Sequence, residues 1–211
     1  MDKHRCSLCN NLTIDYAFER KRNYLFCSFC NSIQMDPKYY ISLENEKKRY
    51  ELHKSDIFDL GYQNFVKPIT DYVFQNLAKD SLGLDFGAGH GPVISELLKE
   101  KGFKIKLYDP FFHRDLNVLE TKYDYIISCE VIEHFHNPAK EFKLLRNLLK
   151  ANGKLILMTD PYNDETDFSK WYYKNDETHV FFYSKKTFEY IKEYYNFRNL
   201  IINNRLIVFE T

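Results

Sequence analysis

Between residues 82 and 159, short apolar runs alternate with segments whose apolar residues recur every three or four positions. The runs at 82–85, 104–108, 123–130 and 154–159 have strand length, while 93–101 and the stretch from Pro138 to Asn152-Gly153 each carry one apolar helical face. This alternation predicts a parallel sheet covered on both faces, because a parallel pair needs a crossover long enough to bring the chain back. Residues 200–203 and 205–209, joined at Asn203-Asn204, predict a closing antiparallel pair. Upstream, Asp56 is placed to cap a helix running to about Lys79, with Ile57, Leu60, Phe65, Ile69, Val73 and Leu77 on one face. Residues 43–53 are charged and helix-compatible, and 12–18 and 23–26 read as two short strands. The pattern divides the chain into a ribbon-like module over 1–36, a linker and helical lid over 37–80, and an α/β body over 81–211.

The turn after the first body strand concentrates the chemistry. It reads Gly-Leu-Asp-Phe-Gly-Ala-Gly-His-Gly-Pro from Gly83 to Pro92, with Asp85 at the strand end and Gly87, Gly89 and Gly91 at alternate positions. Glycine permits positive φ and removes the Cβ that would block a ligand, and the helix opened by Pro92 presents unpaired N–H groups. A ligand of carboxylate, ribose or phosphate character suits such a turn. The next strand ends in Asp109-Pro110, 22 residues after Gly87, about where a carboxylate meets ribose hydroxyls in dinucleotide sites. Phe111 and Phe112 follow, placed for a base edge or for packing on the sheet.

The acidic-x-Gly-x-Gly-x-Gly run from Asp85 to Gly91, Asp109 one strand later, and Glu130-Val131-Ile132-Glu133-His134 together resemble the class I S-adenosylmethionine-dependent methyltransferases. The resemblance implies an α/β, Rossmann-like sheet of seven strands and S-adenosylmethionine as cofactor. It implies cofactor contacts at Asp85, Gly87, Ala88, Gly89 and Gly91, at Asp109 and Pro110 beside the ribose, and at Cys129 and Glu130 along the methionine part. In many such enzymes the segment before the first strand walls the acceptor pocket. Tyr50, His53 and Tyr62 are therefore candidate pocket residues, with Glu133 and His134 from the following motif. The stretch Trp171-x-x-x-x-Asp176-x-Thr178-His179-x-x-Phe182 resembles one found in a group of small bacterial methyltransferases. By that resemblance His179 acts at the acceptor as base or orienting residue, and Trp171 is a pocket wall. Histidine suits the task because its pKa lies near neutrality. His134 and His136 stand two apart rather than the four of the two-histidine helix motif, so no catalytic metal is expected.

Four of the five cysteines form the pairs Cys6-x-x-Cys9 and Cys27-x-x-Cys30, with 17 residues between them. Two such knuckles turn four thiolates toward one point, which predicts a closed structural zinc site, with disulfides or free thiols as the alternative. Lysine and arginine total 30, as do aspartate and glutamate, so no global field calls for a polyanionic partner. Residues 1–54 carry ten Lys/Arg against seven Asp/Glu, including Arg20-Lys21-Arg22. Some ribosomal-RNA methyltransferases also begin with a cysteine zinc module, so RNA is the alternative to a small-molecule substrate; a non-catalytic cofactor-binding or zinc scaffold is the third reading. No DNA partner is expected; no membrane partner is expected either, since no stretch approaches the roughly 20 apolar residues of a membrane span, and a cytoplasmic location is expected.

Overall fold

Each predicted strand of the body forms, and so does a ribbon sheet that reaches further than its sequence suggests. The computed structural model describes residues 4–52 and 56–211. The N-terminal part contains β1 (Ile14–Glu19), β2 (Arg22–Cys27), β3 (Ser32–Met35), α1 (Leu43–Glu51) and α2 (Leu60–Asn76). The body follows as β4 (Leu82–Phe86), α3 (Val93–Glu100), β5 (Lys104–Tyr108), β6 (Tyr123–Cys129), α4 (Pro138–Leu148), β7 (Leu149–Met158), β8 (Phe181–Phe182), α5 (Lys185–Tyr194), β9 (Asn199–Asn203) and β10 (Leu206–Glu210).

The body sheet has the order β5-β4-β6-β7-β10-β9. Its first four strands are parallel, and β10 and β9 close it in antiparallel fashion. Successive strand residues point to opposite faces, so Tyr125 and Ile127 pack with Val66, Ile69 and Val73 of α2 and Ile94 and Leu98 of α3. Ile126 faces the other way, toward Phe142 and Leu145 of α4 and Phe188 and Ile191 of α5.

Three expectations are corrected. Among the described residues the sheet has six strands rather than seven. Residues 109–122 instead form a turn bridged between Asp109 and His113 and a 3-10 helix, Leu116–Glu120, which leaves no length for a further helix and strand. Asp59, not Asp56, caps α2, its carboxylate accepting from the amides of Gly61 and Tyr62 at 2.8 and 3.2 Å. Finally, α4 stops at Leu148 and β7 begins at once. The register jumps from the Tyr123–Leu149 pair to the Tyr125–Lys154 pair, so the predicted stop at Asn152-Gly153 is a bulge within a strand, with Asn152 at φ 61°.

The ribbon sheet has the order β1-β2-β3-β8. Arg20 and Lys21 turn β1 into β2 with φ of 49° and 64°, the left-handed pair a two-residue hairpin turn requires. β3 pairs with β8, Ile33 opposite Phe182 and Gln34 opposite Phe181, so the long segment after β7 completes the N-terminal sheet. Behind this pairing Tyr24, Ile33, Met35, Phe168, Tyr173, Val180 and Phe182 form a separate aromatic core. Among the described residues no helix is long and apolar enough to cross a membrane.

Phe182 is fully buried where the two parts join, whereas Phe18 on β1 is 65% exposed. Phe182→Ala should lower unfolding stability by about 3–5 kcal/mol, and Phe18→Ala should change it by no more than about 0.5 kcal/mol. Denaturant titration of both variants checks this; equal effects would contradict the joining role of β8.

Candidate active site

A cleft of about 1320 Å³ opens at the carboxyl ends of β4, β5 and β6, the edge at which open α/β sheets hold their ligands. Its floor is the glycine turn. Gly87 and Gly89 have φ of 83° and 65°, so both need glycine's freedom. They differ in surroundings. A Cβ on Gly87 would lie 2.5 Å from Val131 Cγ2, whereas one on Gly89 would meet nothing within 4 Å, so Gly89 presents bare backbone to open space.

Asp109 holds this turn in place. Its Oδ2 accepts from the Gly89 amide at 3.0 Å, and Oδ1 accepts from the amides of Phe111 and Phe112 at 2.8 and 3.0 Å. A carboxylate offers about four lone-pair sites, so an outside donor still has one to reach. Ala88, Gly91, Pro110, Phe111 and Phe112 line the cleft with Asp109. Asp85 does not. It lies buried beneath the turn, accepting from Ser95 Oγ of α3 at 2.6 Å, and burial pushes its carboxyl up to about 7.

Cys129 and Glu130, at the end of β6, form the next part of the wall. Burial keeps the Cys129 thiol protonated, its pKa far above the ordinary range. Glu130 has φ 52°, uncommon for a residue with a side chain. Its Oε2 accepts from Arg205 Nη2 at 2.6 Å and lies 3.2 Å from the Tyr173 hydroxyl. Glu133 is fully buried in the short turn Ile132–His134, behind the cleft wall rather than in it. The Tyr173 hydroxyl donates to Glu133 Oε1, and Thr159 Oγ1 donates to Oε2 at 3.2 Å. Burial first, then the neighbouring Glu130, push the Glu133 carboxyl up to about 8.

The two histidines of the wall face each other, ring centroids 4.7 Å apart. His179 Nδ1 lies 2.7 Å from the Tyr173 carbonyl and His134 Nδ1 lies 2.9 Å from the Thr178 carbonyl. A carbonyl can only accept, so each Nδ1 carries a proton, and in the neutral ring Nε2 keeps the lone pair. Burial lowers the His179 pKa to about 4, so its ring is neutral at pH 7. The loop is fixed by Asp176. Although burial raises its carboxyl, bonds from Thr178 Oγ1 (2.6 Å) and the Thr178 amide (3.0 Å) and a 2.9 Å ion pair with Arg49 of α1 hold it below the usual carboxylate range.

Tyr50 and Tyr62 line the cleft, and Tyr50 donates to Glu46 Oε1 at 2.8 Å. His53 lies outside the described residues. Trp171 stands behind the wall, where its Nε1 donates to Asp160 Oδ2 at 3.2 Å and its ring packs on Tyr173 and Phe182. The β3–β8 pairing draws it there. Tyr173, which lines the cleft, and Arg205, which holds Glu130, belong to the site without any motif that announces them. Each reaches it from a different element, and only the fold brings the two together.

The four cysteines gather away from the cleft wall. Cys6 and Cys30 sulfurs are 3.6 Å apart, those of Cys9 and Cys27 are 3.4 Å apart, and all four lie within 4.8 Å of one another. These separations exceed the roughly 2.05 Å of a disulfide and approach the edge of a tetrahedron built on Zn–S bonds of about 2.3 Å.

Residues 58–201 match a family model described as a methyltransferase domain. No curated protein matches the sequence. Among solved structures, the chain is similar to Burkholderia thailandensis 1,6-didemethyltoxoflavin-N1-methyltransferase with bound 1,6-didemethyltoxoflavin and S-adenosylhomocysteine. The identity is 11%, covering 93% of this chain and 97% of that one, with a TM-score of 0.55. It is also similar to human N-acetylserotonin methyltransferase in complex with SAM, at 11% identity, 71% and 53% coverage and a TM-score of 0.54. This chain thus corresponds to about half of the human protein. At such identities the likeness shows a shared fold.

The buried Asp85 gives a pH prediction. The folded chain holds that proton up to about pH 7, while the unfolded chain releases it near 3.8. Its contribution to stability is therefore greatest below pH 3.8 and is lost as pH rises to about 7. Asp85→Asn removes this dependence. The variant's stability relative to the parent should rise between pH 4 and 8 by up to about 4 kcal/mol, read by denaturant titration at both values. A pH-independent difference would contradict the buried protonated carboxyl.

Proposed function

The chain belongs to the methyltransferase-domain family that its residues 58–201 match, and from that premise we propose that it transfers the methyl group of S-adenosylmethionine to a small or medium-sized metabolite. The observation that carries the cofactor reading is the bare Gly89 backbone facing open space beside a carboxylate with an unfilled acceptor site. When bound, S-adenosylmethionine supplies a methyl on a sulfonium open to in-line displacement.

The chain's residues divide the remaining work. The turn from Gly87 to Gly91 and Asp109 hold the nucleoside, with Asp109 accepting from a ribose hydroxyl. Cys129 and Glu130 wall the methionine end. The cleft, at about 1320 Å³, is larger than the roughly 300–1,000 Å³ of a drug-sized pocket, which leaves room for an acceptor beside the cofactor. Tyr50, Tyr62, His134 and His179 surround that acceptor. Held in position, the reacting atoms meet as if at very high concentration, and this alignment is the larger part of the catalysis. His179, neutral and with its Nε2 lone pair fixed, provides the electron pair that an oxygen, nitrogen or acidic-carbon acceptor needs nearby, as a base or through an electrophile bound there.

The ribbon cysteines hold one structural zinc, closed by four sulfurs, and serve folding. In the basic turn Arg22 is bound to the carbonyls of Lys174 and Asp176 at 3.3 and 3.5 Å, which supports a small acceptor over a polyanion.

Titration calorimetry with S-adenosylhomocysteine should show binding that Asp109→Ala weakens by about 1–3 kcal/mol. Unchanged binding would remove Asp109 from the ribose role. Metal analysis after gel filtration into metal-free buffer should return zinc bound by the four cysteines, one equivalent of which is lost in Cys27→Ser. A folded, zinc-free protein would overturn the ribbon site.

A further inference from the structure

We infer that Glu133, His134 and His179 form a second metal site, for a divalent first-row cation, whose open positions face the acceptor end of the cleft. The inference goes beyond methyl transfer and rests on the geometry of the three side chains. One ligand atom from each lies within 4.8 Å of the others.

Three further observations point the same way. The first is the tautomer lock. Both imidazoles donate Nδ1–H to main-chain carbonyls of one loop, Tyr173 and Thr178, the arrangement that orients metal-binding histidines and raises their basicity. The second is the support of the carboxylate. Glu133 receives the Tyr173 and Thr159 hydroxyls, as a ligating carboxylate needs from its outer partners. The third is charge. Glu133 is fully buried, and the Tyr173 hydroxyl that it binds also lies 3.2 Å from a second carboxylate, Glu130. Arg205 answers Glu130, and among the described residues no lysine or arginine forms an ion pair with Glu133. A buried carboxylate is costly unless a cation or a proton compensates it. In the metal-bound site the cation takes the proton's place.

The donor set narrows the ion. Two imidazoles and one carboxylate suit manganese, iron, cobalt or zinc, whereas magnesium and calcium favour all-oxygen sites. Three protein ligands leave positions for outside donors, and His134 and His179 line the cleft. The acceptor class that fits is a molecule carrying an oxygen donor, such as a hydroxyl, which a bound cation makes easier to deprotonate. His179 is then a metal ligand, and the ion is the electrophile on which its lone pair acts. The two-residue spacing of His134 and His136 hid this site. His136 stacks on Tyr40 and lies 3.9 Å from Glu46, and the true second imidazole comes from the loop after β7.

Titration of the full chain with Mn²⁺, followed by the electron paramagnetic resonance of the free ion, tests the site directly. Mn²⁺ stands low in the affinity order of divalent ions, so it leaves zinc on the four cysteines undisturbed. One Mn²⁺ per chain should bind, and His134→Ala and His179→Ala should each weaken it at least about tenfold. Glu133→Gln should do the same, while His113→Ala, outside the cleft, should leave it unchanged. Circular dichroism and S-adenosylhomocysteine calorimetry on each variant establish that the cleft is folded. No Mn²⁺ uptake by the parent at millimolar metal, or uptake indifferent to His134→Ala and His179→Ala, would overturn the site. Product binding without Mn²⁺ binding would refute the metal alone, and the reverse would refute the cofactor reading alone.

Discussion

One carboxylate fastens the open end of this molecule. The turns after β4 and β5 leave the sheet side by side, the amides of Gly87 and Ala88 donating to the Tyr108 carbonyl at 2.8 and 3.1 Å. Asp109 adds a side-chain link, its carboxylate accepting hydrogen bonds from the amide of Gly89 on one turn and those of Phe111 and Phe112 on its own. The clasp keeps the glycine backbone exposed where a side chain or a collapsed loop would fill the cleft. A buried carboxylate already accepting from three amides keeps its direction, which is the preorganisation that the proposed ribose contact calls for. Asp85 performs a supporting task below it, fixing the start of α3 through Ser95.

A second constraint acts on the acceptor side. The segment between β7 and α5 is long, yet it is pinned on both sides of His179. Asp176 is tied to α1 through Arg49, and Phe181 and Phe182 are stitched into the ribbon sheet. The carbonyl of Tyr173, just before the first anchor, and that of Thr178, between the two, set the tautomers of both histidines. The ribbon therefore bears on the cleft through packing. The cysteines shape β2 and β3, β3 pairs with β8, and β8 fixes the residues next to His179.

The strand-helix alternation, the glycine turn, Asp109 and the cysteine pairs were legible in the sequence, because each rests on local spacing. A parallel strand shows as an apolar run, a tight turn as glycine, a cysteine cluster as two knuckles. What the sequence withheld depends on distance in the chain. Nothing near Trp171 signals that the β3–β8 pairing turns it away from the cleft. Asp85 shares the acidic position of the motif, but only the packing of α3 shows that Ser95 claims its carboxylate. The seventh strand failed because residues 109–122 are too few for it. Glu133 and His134 carried a recognisable motif, whereas their juxtaposition with His179 required the fold.

The central claim is that the bare glycine turn and Asp109 form a nucleoside cradle. The most direct measurement is a crystal structure of the chain with S-adenosylhomocysteine. The ribose hydroxyls are predicted within hydrogen-bond distance of Asp109, with the sulfur near Cys129 and Glu130 and the acceptor space bounded by His134 and His179. Product bound elsewhere on the protein, or seated in the cleft with its ribose turned away from Asp109, would contradict it.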